Sequence, residues 1–503
     1  MQNTSPSFVT SRGHFKGGTY LPVSLHTCIS RLPCAILSIM NRTPSYILVI
    51  TGLVVLGGSA FGQDAPSKLS IRQALDMAIS VNPTLRQSSS DLGDSRVRAG
   101  LARIDTSLTA TAEAKQTQGQ IGNDTNAVVT GKWDRKDAKG ATSSVEFAPV
   151  GIGVDRGALS LQHRIPLNQG KNKLSTKYND ILDADSAFRI QEKQIFLTRQ
   201  ATILSVIGAY LNAVLAREQI KVQEKALAVA EEAATSARKR SDAGLIAELE
   251  VSRADISVAQ TRDDLNGQVQ AYKGAVDSLM KSIGQGVGQN PELIDSVPET
   301  TQPLPPLETA VSTGLQNRAE LSVYDQQISD RSRKTNLAAD QLKPAVDAVA
   351  GFSSFNDRTG VLGSSIFNRN SLTIGLEYTV TLDKRIVTAE KEISQKDLAL
   401  YTDLRAYEME KIAADVRDAY RSFETSRDSL NILGQNLNTT VENLRLAQRM
   451  VDEGLSSNRE VLDAQTAVTR VESGILSAKL NLYMAGLNLK AAMGEDLTKT
   501  VMQ

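Results

Sequence analysis

The chain has 503 residues, with 56 basic and 56 acidic side chains and aromatics at only 4%. That balance leaves no basic excess to hold nucleic acid, and so few rings over such a length point to thin aliphatic packing in an elongated unit. With three histidines and two cysteines in all, zinc centres, Cys–His nucleophiles and Ser–His triads have almost nothing to be built from. Neither catalysis nor a metal or cofactor is expected.

The first 62 residues read as targeting rather than structure. "MNRTPSYILVITGLVVLGGSAFGQDA" places Arg42 before an apolar run from Tyr46 to Leu56, then small residues ending Ala60-Phe61-Gly62. That is the pattern of a secretory signal cleaved before Gln63. The run is too short for a comfortable bilayer anchor. The 39 residues before Met40 read as an upstream extension, with Met40 as the start. Cys28, Cys34, Arg12, Lys16, Arg31 and Arg42 all lie in this segment. The exported remainder would carry a net charge of about −4, one histidine (His163) and no cysteine for a disulfide or a lipid anchor.

A first repeat is expected over 63–289. It opens with "LSIRQALDMAISVNPTL", where Leu69, Ile71, Ala74, Leu75 and Ala78 keep helical spacing until Pro83 interrupts, and helix continues to about Thr106. Over 107–167 the period shifts to two. In "LSLQHRIPL", Leu159, Leu161, His163, Ile165 and Leu167 alternate with Ser160, Gln162 and Arg164, and a less regular partner, "SLTATAEAKQTQ", precedes them. This predicts one β-hairpin with a polar loop, Pro166 standing at a strand end where it is tolerated. A long helical hairpin is expected over 170–284, its first arm roughly 108 Å if helical throughout. A Pro-rich linker, 290–306, lies within "NPELIDSVPETTQPLPPLE".

The second repeat, 307–495, has the same plan. Leu307, Ala310, Val311 and Leu315 open a helix that runs on towards Pro344. A β-hairpin over 345–382 pairs "AVDAVAGFSSF" with "LTIGLEYTVTL", and a helical hairpin fills 386–494, before a short tail at 496–503. The tips echo one another at a spacing of 210 residues: Asp242/Asp452, Gly244/Gly454, Leu245/Leu455, Glu250/Glu460, Val251/Val461, Ala254/Ala464 and Val258/Val468. The register holds without a gap from Tyr210/Tyr420 to Gly284/Gly494, which argues for duplication. Glycine suits a turn with positive φ, so the repeated turn marks the far tip of a duplicated hairpin.

Four strands with one apolar and one polar face cannot close a barrel, because small barrels need about eight. An open edge in lipid would leave backbone groups unsatisfied at several kcal/mol each. Three copies would supply twelve strands, with Thr, Ser, Gln, Glu377 and Arg164 lining a lumen and the helices continuing as a tube. Two other readings remain, a periplasmic adaptor and a structural coiled-coil protein of the envelope. An adaptor would carry one hairpin bracketed by small β-domains rather than repeat hairpin and strands together. The period-2 strands and the export signal count against a rod.

Over residues 67–495 the chain resembles the TolC-like outer membrane efflux family. The resemblance rests on "LSIRQALDMAISVNPTL", "HRIPLNQG" and the tips "AGLIAELEVSRA" and "EGLSSNREVLDAQ", in that order and duplicated. It implies a mainly α fold with a membrane β portion. Long helical hairpins would form a trimeric α-barrel tunnel, and four strands per chain would enter a shared 12-stranded β-barrel in outer membrane lipid. It further implies a homotrimeric exit duct of a tripartite efflux or type I secretion system, without catalysis. Substrates would come from a periplasmic adaptor (membrane fusion) protein and an inner-membrane RND or ABC pump, with a gate at the periplasmic tip.

By position, the family's aperture carboxylates fall on Asp463, Glu460 and Glu250. Three copies of one carboxylate around a narrow axis would attract cations; the plainer reading makes them solvated helix-start carboxylates. Gly244, Leu245, Gly454 and Leu455 resemble adaptor-docking tips. The latch tyrosine of the best-known member corresponds to Val451 and its arginine partner to Ser456, with Arg459 and Arg253 nearby. His163 reads as an interfacial residue on an outward strand face, and Asp134, Asp137 and Glu146 as solvated loop charges.

Overall fold

A computed structural model describes residues 68–119, 122–148, 158–298, 305–355 and 369–502. The expected upstream extension and signal peptide, 1–62, lie outside the described residues. The two halves repeat one series of elements. Helix α1 (Ile71–Val81) is capped by Ser70, whose hydroxyl accepts from the Gln73 N–H while the Gln73 side chain accepts from the Ser70 N–H. Helix α2 (Pro83–Ala102) follows at once, with Pro83 at the first helical position, where its missing N–H costs nothing.

Helix α3 (Thr176–Asp242) spans 67 residues, about 100 Å at 1.5 Å per residue, and returns as α4 (Glu248–Ile283). It starts six residues later than Gly170, because Gly170 (φ 71°) and Asn172 (φ 54°) turn the chain before Ser175 caps it. The second half gives α5 (Leu307–Asn317), α6 (Ala319–Asp340), α7 (Arg385–Asp452) and α8 (Asn458–Ala492). The break between the first two helices recurs at Arg318 without a proline. Both breaks lie against the glycine that ends the returning helix. A Cβ on Gly284 would stand 3.2 Å from the Asn82 Cα, and one on Gly494 2.8 Å from the Asn317 carbonyl carbon.

Helix α3 packs on α4 and α8, and α8 on α7, so the long helices stand in the row α4, α3, α8, α7. Towards the tips, Leu249 and Ile256 on α4 and Ile432, Val441, Leu446 and Met450 on α7 remain exposed. Among the described residues no helix is long and apolar enough to cross a membrane.

The main core gathers where the halves meet. Two-residue strands β1 (Lys68–Leu69) and β6 (Glu292–Leu293) pair in parallel, so the expected linker is partly a structural element. The buried Tyr210 hydroxyl lies 2.9 Å from both the Leu69 carbonyl and Asp295 Oδ2, and Ile71 N–H donates to the same carboxylate oxygen at 2.7 Å. Arg217 donates to the carbonyls of Leu293 and Asp295. The expected tail contains helix α9 (Leu497–Met502), with Leu497 fully buried and its N–H bonded to Gln200 Oε1 at 3.1 Å.

Burial, then the hydrogen bond to Asp295, pushes the Tyr210 phenol well above its ordinary value, so it stays neutral. Its contribution is present in full below about pH 10, the unfolded value, and declines as pH rises towards the folded one. Tyr210→Phe is expected to cost about 1–3 kcal/mol, since the Leu69 carbonyl and Asp295 keep their burial but lose a donor. The midpoint of urea unfolding in detergent measures it.

The strand count is a correction. In place of two hairpins with four strands, the described residues form one six-stranded antiparallel sheet. Its members, in spatial order, are β2 (Thr106–Gly119), β3 (Gly122–Lys136), β4 (Thr142–Ala148), β5 (Ala158–Pro166), β7 (Ala345–Phe355) and β8 (Arg369–Thr379). The second repeat keeps its hairpin, and the first has a four-stranded meander. Asp134 and Glu146 are therefore strand residues, not loop charges.

Residues directly opposite share a face. Leu108, Trp133, Val145, Leu161, Phe352 and Leu372 are successive partners across all six strands. The adjacent row on the other face reads Thr109, Lys132, Glu146, Ser160, Ser353, Ser371. Along these two rows one face is apolar and the other polar, as suits lipid on one side and water on the other.

Candidate functional site at the helical tips

Each tip is built the same way. Gly244 (φ 72°) and Gly454 (φ 79°) close α3 and α7 in the left-handed region. Leu245 N–H then reaches back to the Arg240 carbonyl, and Leu455 N–H to that of Met450, both at 2.8 Å. These six-residue closures satisfy the last carbonyls of each helix. Both leucines are left 70% exposed, although they stand in turns that hydrogen bonds hold firmly.

The tips are tied together by residues the sequence did not single out. Arg240 Nη1 donates to the Val451 carbonyl at 2.8 Å, joining the end of α3 to that of α7. Asn458 Nδ2 donates to the Ala233 carbonyl at 3.3 Å, pinning the start of α8 to α3. The bonds are made to backbone carbonyls, which carry no side-chain signature, so residue pairing in the sequence gave no cue. Val451 is buried, and the Ser456 hydroxyl bonds Glu460 at 2.5 Å.

Two of the three expected gate carboxylates share a cleft between α4 and α8. It is lined by Glu250, Arg253, Asn458, Arg459 and Asp463 among others, and Glu460 is not part of the lining. Glu250 pairs with Arg253 at 2.6 Å, and Asp463 lies 3.6 Å from Arg459, with both of these side chains about three-quarters exposed. Glu250 and Glu460 sit in the first turns of α4 and α8, where any carboxylate favours the dipole. Asp463 lies beyond the first turn, so that plainer role explains it least.

The sheet's polar face carries its own charges. Arg164 bridges Asp347 (2.8 Å) and Glu377 (2.5 Å) across three strands. His163, on the apolar face with Ala350 and Ile374, has its Nδ1 2.8 Å from the Ser143 hydroxyl. Among the described residues no cluster of His, Cys, Asp and Glu could hold a metal ion.

The outer membrane efflux protein family matches residues 153–285 and 310–495, more than half of the chain. The probable efflux pump outer membrane protein TtgC of Pseudomonas putida is 23% identical over 317 residues, 59% of this chain and 61% of that protein. The chain thus matches less than two thirds of that relative's length. The outer membrane protein OprJ of Pseudomonas aeruginosa is 22% identical over 445 residues, 84% of each chain. In fold, the outer membrane protein VceC of Vibrio cholerae superposes with a TM-score of 0.65 at 16% identity, covering 84% of this chain and 96% of that one. A duplicated set of long helical hairpins, joined to a sheet with one apolar face, agrees with those likenesses: the chain belongs to the outer membrane efflux protein family, and its place is the outer membrane.

Proposed function

We propose that the chain is a passive exit duct of a tripartite efflux or secretion system. It would work as a homotrimer fed by a periplasmic adaptor and an inner-membrane RND or ABC pump. The observation that carries this reading is the unbroken apolar row from Leu108 to Leu372, on the face opposite a polar, charged one. A periplasmic adaptor or an envelope rod would have no use for such a face, since water would meet Leu372, Ile374, Leu376 and Tyr378, all 65–78% exposed. The chain's two sheet edges, β2 and β8, need partners in lipid, and neighbouring copies supply them. The exposed apolar residues of α4 and α7 would then close the helical tube. The mass of protein extracted from separated outer membranes tests the reading: a trimer is expected, and a soluble periplasmic monomer would overturn it.

The tips serve as the gate, with Asp463 and Glu250 facing one aperture and Glu460 outside it. In planar bilayers, the Asp463→Asn, Glu250→Gln double variant is expected to lower the cation-to-anion permeability ratio on the order of tenfold. An unchanged ratio would return both carboxylates to solvated helix faces.

A further inference from the structure

We propose that the β3–β4 hairpin is a working part of the membrane wall, so that three copies close eighteen strands rather than twelve around a wide exit pore. This deepens the duct reading and rests on its trimer. Strand order is the first argument. β2 pairs with β3 along its whole length and, among the described residues, not with β5, so these strands form no four-stranded wall to which a hairpin could be an outside appendage.

Face chemistry is the second. Trp133, Val145 and Phe147 fall on the face of Leu161 and Leu372, while Lys132, Asp134 and Glu146 fall on the face of Gln162 and Ser160. A hairpin lying in water would have no reason to keep its apolar side in register with the apolar side of β5, β7 and β8.

The lower turn is the third. Asp137 Oδ1 accepts from the N–H groups of Lys139 and Ala141 at 2.9 Å each. Asn172 N–H donates to the Lys139 carbonyl at 2.9 Å, and the Ser175 hydroxyl to that of Ala138 at 2.6 Å. The turn is thus seated on the junction where β5 passes into α3. Finally, an even number of strands leaves β2 and β8 running in opposite directions, so β8 of one copy meets β2 of the next in the antiparallel sense that the rest of the sheet uses.

The consequence is bore. With strands about 4.8 Å apart and tilted about 40°, eighteen strands close a wall about 36 Å across, and twelve about 24 Å. Twelve helices about 10 Å apart ring about 38 Å, so the wider wall continues the tube of α3, α4, α7 and α8 with little narrowing. Barrels of this strand number keep an open aqueous channel, here with Lys132, Asp134 and Glu146 added to its lining. The strand wall itself would not narrow the path of bulky hydrated cargo, and selection by size would fall to the tips.

Trp133 is the only tryptophan in the sequence, which makes the test direct. The full-length protein is placed in vesicles of brominated and ordinary phospholipid, and its fluorescence is compared. A wall position predicts blue-shifted emission, strong quenching by brominated chains and little by aqueous iodide. The Trp133→Phe, Leu372→Trp variant moves the probe to β8 on the same apolar row. Quenching by lipid at both positions supports the proposal. Quenching by lipid at 372 but by iodide at 133 overturns the six-stranded wall and leaves the duct standing. Iodide quenching at both would remove the membrane barrel, and this inference with it. A strand count in a three-fold-averaged electron microscopy map gives an independent reading, eighteen for the proposal and twelve against it.

Discussion

Cells carrying the Leu245→Asp, Leu455→Asp double variant are expected to lose export while the trimer still reaches the outer membrane. The two side chains are 70% exposed and stand on turns whose backbone bonds to Arg240 and Met450 do not involve them. Removing them therefore costs the free protein little, within about 0.5 kcal/mol for surface substitutions of this kind. A partner that buries both would lose about 1.5–3 kcal/mol per leucine, so the two together weaken docking by roughly a thousandfold. The new carboxylates would also have to be desolvated. Two measurements on the same cells decide it: efflux of a pump substrate, and the mass of the outer membrane protein. Lost export with an intact trimer is the expected pair. Loss of the trimer itself would make the leucines structural, and full export would show that no partner grips them.

Their neighbours illustrate what the sequence could and could not reveal. Gly244 and Gly454 were legible because a tip turn needs positive φ, and both adopt it. The long helices were legible because dozens of Ala, Leu and charged residues repeat one period. β3 and β4 were not. The alternation around Trp133 covers only a few residues, its polar partners are Lys132 and Asp134, and β4 has only Val145 and Phe147 to declare an apolar face. Such short stretches look like charged loop until neighbouring strands fix their register. Asp295 was hidden inside a proline-rich run, and only the arrival of Tyr210 and the α1 N-terminus gives that carboxylate its partners. In the candidate site, sequence position indicated Glu250 and Asp463. Glu460 is an exact echo of Glu250 in the duplication, yet it bonds Ser456 outside the cleft. Duplication copies the residue and not the neighbour, since position 246, the counterpart of Ser456, holds an isoleucine.

The β3–β4 turn offers the sharpest single-residue test of how the wall is joined to the helices. Gly140 has φ 96°, and a Cβ there would lie 2.3 Å from the Gly170 carbonyl oxygen, 3.0 Å from Pro166 Cγ and 3.2 Å from Ser175 Cβ. Gly170 also has a positive φ, 71°, but its Cβ would meet nothing within 4 Å. Alanine at 170 therefore carries only the backbone penalty, about 1–2 kcal/mol. Alanine at 140 adds a clash with backbone that cannot move without breaking the Asn172 to Lys139 and Ser175 to Ala138 bonds, for a total of roughly 2–5 kcal/mol. Gly140→Ala is expected to yield little heat-resistant trimer after refolding into detergent, and Gly170→Ala most of the wild-type yield. Equal yields would mean that the turn detaches at no cost, and the hairpin would then be held by its strand pairing alone. A deficit confined to Gly140→Ala would show that the close seat of this turn against Gly170, Pro166 and Ser175 is needed for the wall to stand on the helices.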